Sequence, residues 1–118
     1  MACRLRGKIY DAAESFLLGF NPNVYYDPMR EIIPDDELVQ MAFKDLEGYG
    51  KQGIIDTIEE VREVLAMEPF PWEWVEELID AQAHNEQGEW AEGAEDYKWW
   101  LTKIINKFEF EAKLQGKL

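Results

Sequence analysis

The segment WAEGAEDYKWWLTKIINKFEFEAKL, residues 90–114, decides the fold class. Trp90, Ala94, Tyr97, Leu101, Ile104 and Phe108 recur at spacings of 4-3-4-3-4, and Ile105 and Ala112 widen the stripe. That period is one apolar face of an α-helix. Glu89, Glu92, Glu95 and Asp96 stand early, whereas Lys98, Lys103, Lys107, Lys113 and Lys117 stand late. This order suits the helix dipole, which favours anions at its start and cations at its end. A long helix from about Trp90 is predicted.

Four more helices are predicted upstream. Leu5, Ile9, Ala12, Ala13, Phe16 and Leu17 mark a first helix from about Leu5 to Leu18, and the Asn/Pro/Gly-rich GFNPNVYYDP (19–28) reads as a loop. A second helix opens at Pro34 with Asp35, Asp36 and Glu37 in its first turn, and Gly48 and Gly50 end it. The third is GIIDTIEEVREVLAM (53–67), with Ile54, Ile58, Val61 and Leu65 as its stripe. Pro71 begins the fourth, which runs to about His84. With no convincing strand, the expectation is an all-α, compact bundle of about five helices, residues 1–118 forming one domain.

The chain has 118 residues, a formal net charge of −13 and 47% hydrophobic residues, a balance that argues for a folded core. Residues 11–97 hold 23 of the 25 acids and only four of the 12 bases. Phosphates would be repelled, so direct nucleic-acid binding is not expected, and a basic partner is. Cys3 is the only cysteine, which fits a reducing compartment. Asp11 and Glu14 interrupt any apolar run behind the basic N-terminal residues, and no run is long enough for a membrane. A cytoplasmic protein is expected.

The carboxylates are the candidate chemistry. Residues 58–80, IEEVREVLAMEPFPWEWVEELID, contain Glu59-Glu60-x-x-Glu63 followed by Glu77-x-x-Asp80. This spacing resembles the all-α nucleoside triphosphate pyrophosphatases of the MazG-like family. The resemblance implies that Glu59, Glu60, Glu63, Glu77 and Asp80 hold Mg²⁺ ions, which neutralise a nucleotide and activate the attacking water. Helical geometry points elsewhere. At 100° per residue, the acids of the third helix lie opposite Ile54, Ile58, Val61 and Leu65. Glu73, Glu76, Glu77 and Asp80 lie opposite the stripe of Trp72, Trp74, Val75, Leu78 and Ile79. They are expected to face water.

Other chemistry is sparse. His84 is the only histidine, so neither a histidine metal cluster nor two-histidine catalysis can be built, and nothing around Ser15, the only serine, resembles a nucleophile elbow. Of the closely spaced pairs Trp72/Trp74 and Trp99/Trp100, at least one ring each should lie near the surface.

Acids at helical spacing stand about 5–6 Å apart, close to the spacing of phosphates along a strand. In size, charge and helical character the chain resembles phage-encoded DNA-mimic inhibitors of restriction or CRISPR machinery. The implied function is binding to the basic nucleic-acid-binding surface of a partner, without a cofactor or catalysis. The contact residues are then Glu59, Glu60, Glu63, Glu73, Glu76, Glu77 and Asp80, extended by Glu86, Glu89, Glu92 and Asp96. Nuclease-toxin immunity proteins, which are often small, acidic and helical, are a second binding class. The pyrophosphatase is the enzymatic alternative.

Overall fold

The computed structural model describes residues 4–5, 8–20, 35–46, 50–79 and 83–118. The expectations placed on Cys3, Pro34, Gly48, Asp80 and most of the 19–28 loop lie outside those residues. Among the described residues five helices make up the fold: α1 (Asp11–Leu18), α2 (Asp35–Leu46), α3 (Gly50–Leu65), α4 (Trp72–Ile79) and α5 (Gly93–Leu114). The protein is all-α. Among the described residues the extended structure is two antiparallel two-residue strands, β1 (Arg4–Leu5) and β2 (Lys8–Ile9), and one bridge between His84 and Trp90.

Three boundaries differ from the expectation, each for a physical reason. The first helix starts at Asp11 and not at Leu5. Its start coincides with an acceptor from elsewhere in the chain: Glu60 Oε1 receives the N–H groups of Ala12 and Ala13 at 3.1 and 3.2 Å. The fourth helix has ended before Ala83, because residues 83–91 fold back on themselves. Ala91 N donates to Ala83 O, and the Asn85 side chain accepts from the backbone of Gln87 and Glu89. Finally, α5 begins at Gly93 rather than Trp90. Glu92 is extended (φ −135°, ψ 121°) and Gly93 has φ +78°, a left-handed conformation suited to glycine. Trp90 therefore precedes the helix and is 39% exposed.

The long helix occupies the centre. Tyr97, Trp100, Leu101, Ile104, Ile105, Phe108 and Ala112 on α5 are all fully buried. α5 packs against α2, α3 and α4, and α1 packs against α3 and α4. The helices α3 and α4, consecutive in sequence, hardly touch: α1 and α5 lie between them. An aromatic chain runs through this core. Phe108 meets Phe43 at 4.6 Å and Phe16 at 5.1 Å, Phe16 meets Phe20 at 5.0 Å, and Phe20 meets Trp100 at 5.7 Å. Edge-to-face and offset pairs at these separations are favourable beyond their burial. The buried residues form one contiguous cluster, and the radius of gyration of 13.4 Å is that of a close-packed chain of this length.

Candidate functional site

The acids of α3 divide into two kinds. Glu59 is exposed on the outer side of the helix. Glu60 is half-buried and takes the free N–H groups at the start of α1, the position where a carboxylate best complements a helix dipole. Glu63, though largely exposed, accepts a hydrogen bond from the Tyr10 hydroxyl at 2.9 Å. Two of the three acids thus point toward α1, not straight into water. Arg62, between them, pairs with Glu109 of α5 at 2.9 Å and donates to Asn106.

On α4, Glu73 and Glu77 are exposed, whereas Glu76 is half-buried and accepts from the Tyr97 hydroxyl at 3.2 Å. Burial, reinforced by the adjacent Glu76 charge, pushes the Tyr97 hydroxyl well above the ordinary tyrosine range. The acid rows of α3 and α4 therefore stand on two helices separated by α1 and α5. Beyond α4, Glu86, Glu89 and Glu92 are exposed in the turn and at the entry to α5. Asp96 Oδ2 receives the backbone N–H of Glu92 at 3.0 Å and so closes the first turn of α5.

Glu59, Glu60, Glu63 and Glu77 are brought into no common metal cage. Among the described residues no group of three or more His, Cys, Asp or Glu side chains is placed to hold an ion. Nor is any described helix long and apolar enough to cross a membrane.

A second polar centre was not anticipated. Asp35, at the start of α2, bonds His84 Nε2 at 3.0 Å through Oδ1 and Lys103 Nζ at 2.8 Å through Oδ2. Lys103 also lies 3.3 Å from His84 Nε2 and 4.0 Å from the centre of the Trp99 ring. His84 Nδ1 faces the Asn85 carbonyl at 3.0 Å, so Nδ1 carries a hydrogen. Nε2 then has a partner in either state, accepting from Lys103 when neutral and donating to Asp35 when protonated. Burial alone would raise the Asp35 carboxyl, but the hydrogen bonds and charges of Lys103 and His84 outweigh it and hold it below the ordinary range. Lys107 adds a longer contact to Asp36, at 3.5 Å. This cluster ties α2, the 83–91 turn and α5 together. Asp35, His84 and Lys103 lie 19 to 68 residues apart in the chain, and no local spacing announces them. Glu14, only 6% exposed on α1, is likewise invisible to a sequence reading that treats acids as surface.

The tryptophans follow the expectation in part. Trp100 is buried and Trp99 is half-buried, while Trp72 and Trp74 are both half-buried against the core. Compared with protein families, curated proteins and solved structures, the chain matches none.

Proposed function

We propose that the protein acts by binding, and that it occupies the basic nucleic-acid-binding surface of a partner protein. One observation carries this reading. Glu59, Glu73, Glu77, Glu86, Glu89 and Glu92 are exposed, and none takes part in an ion pair among the described residues. Arg62, Lys103 and Lys107 are instead paired with Glu109, Asp35 and Asp36. Among the described residues, therefore, no cation is paired with the negative charge on the outer faces of α3, α4 and the 83–91 turn. Such a field steers and orients a cationic surface, and its strength falls with added salt. Glu60, Glu63 and Glu76 have inter-element bonds of their own, which supports a positioning role for them and leaves the exposed acids as contacts. Those bonds, and the separation of α3 from α4, favour binding over a two-helix Mg²⁺ hydrolase.

The test is capture of the partner from a bacterial lysate at low and raised salt, followed by competition with a DNA duplex for the purified partner. The protein should displace the duplex. Glu59→Lys, Glu73→Lys and Glu77→Lys together should weaken binding on the order of a hundredfold at low salt and flatten its salt dependence. An affinity that survives the triple reversal, or a partner that binds protein and duplex at once, would overturn the proposal.

A further inference from the structure

The segment MEPFPWEW (67–74), which runs from behind α3 into the first turn of α4, shapes a notch in the surface. Pro69, Phe70, Pro71, Trp72, Glu73 and Trp74, together with Ala94 from the first turn of α5, line an open notch of about 390 Å³. Phe70 is buried, which anchors the segment to the core. Two prolines restrict its backbone, since each ring locks its own φ. One face of Trp72 stacks on Tyr97 at 6.0 Å and 26°. Tyr97 is itself fully buried and donates to Glu76. The walls of the notch are thus held in place before anything enters.

Its chemistry is aromatic and negative at once. Glu73 stands in the wall and is exposed, and Glu68, Glu92 and Glu95, all exposed, flank the lining residues in sequence. Among the described residues no lysine or arginine lines the notch. We infer that the notch receives an arginine side chain of a basic partner protein, its guanidinium lying against the tryptophan wall with Glu73 as counter-ion. Guanidinium is planar and less strongly hydrated than an ammonium, so it stacks on an aromatic wall and forks onto a carboxylate where lysine offers only a point charge. An apolar side chain would match the rings but leave Glu73 and its neighbours with nothing to neutralise. Tryptophan and arginine are also the residues in which interface energy concentrates. This inference rests on the proposed binding function and deepens it by naming the residue type that anchors the partner.

The experiment uses the full chain labelled with ¹⁵N and two blocked peptides of equal charge, tri-arginine and tri-lysine, with an uncharged leucine peptide as comparison. Tri-arginine should move the indole N–H signals of Trp72 and Trp74 and the amide of Ala94, with about two- to fivefold tighter binding than tri-lysine. Glu73→Gln should remove most of that preference while the spectrum stays folded. Equal shifts from both cationic peptides, spread over the acidic faces without Trp72 and Trp74, would overturn the arginine notch and leave the acidic binder standing. Shifts at the notch from the leucine peptide, or on raising the protein concentration alone, would overturn it in favour of an apolar occupant or a second copy. No response to either cationic peptide at low salt would remove the binding function itself.

Discussion

Replacing Glu60 probes whether an acid that looks like a metal ligand in the sequence is a helix cap in the fold. Its Oε1 receives two backbone N–H groups of α1, and without it those donors lose their partner beneath a half-buried side chain. Loss of a capping acceptor costs about 0.5–2 kcal/mol, and loss of a charge at a helix start adds about 0.3–1 kcal/mol. Glu60→Ala should therefore cost about 1–3 kcal/mol. For a domain between the size classes for which shifts are known, each kcal/mol moves the midpoint by roughly 3–6 °C, so a fall on the order of 5–15 °C is expected. Glu60→Gln keeps an acceptor oxygen and loses only the charge, so its cost should be about 0.3–1 kcal/mol. Thermal unfolding followed by circular dichroism at neutral pH measures both. Hydrogen exchange at the Ala12 and Ala13 amides, which should accelerate in Glu60→Ala, locates the effect. The reasoning fails if Glu60→Ala leaves the midpoint within a degree or two of wild type. It fails equally if millimolar Mg²⁺ stabilises the wild type and Glu60→Gln abolishes that gain, as a metal site would require.

The Asp35 cluster predicts a pH dependence. A carboxyl held below its ordinary 3.8 in the folded state contributes stability above that value and loses it as pH falls through the folded pKa. Asp35→Asn should thus cost about 1–3 kcal/mol at pH 7, with the gap to wild type closing in acid; a urea-midpoint difference constant from pH 7 down to pH 2 contradicts this. In the core, Phe108→Ala removes a ring that touches both Phe16 and Phe43 and should cost about 3–5 kcal/mol, a large share of the stability of a small domain. A loss below about 1 kcal/mol in urea unfolding would mean that the aromatic chain is not the centre of the core.

What could be read in advance follows the range of the forces involved. The apolar stripe of α5, from Tyr97 to Phe108, and that of α3, from Ile54 to Val61, are local periodicities, and those residues are buried as the spacing demands. Helix starts were less legible, because a partner elsewhere in the chain sets them. Leu5 and Ile9 continue the helical spacing of the first stripe, yet the helix begins where Glu60 meets it, 47 and 48 residues from the amides it holds. The residues of α4 were readable as a helix, but its end before Ala83 depends on a turn built by Asn85. Adjacency was the largest gap. Consecutive helices α3 and α4 suggest one acidic array, whereas the fold inserts α1 and α5 between them. His84, which no local pattern marks, is half-buried between Asp35 and Lys103 because two distant segments converge on it.

The lodging of α1 between α3 and α4 has a consequence for the nascent chain. Eight residues cannot hold a stable helix alone, so Ala13, Phe16 and Leu17 leave the ribosome with their apolar groups uncovered. Their cover begins to emerge about forty residues later, which at ordinary elongation rates is a wait of roughly 2–8 s. α1 is thus made before the helices that cover it, and that interval is when a chaperone has something to hold.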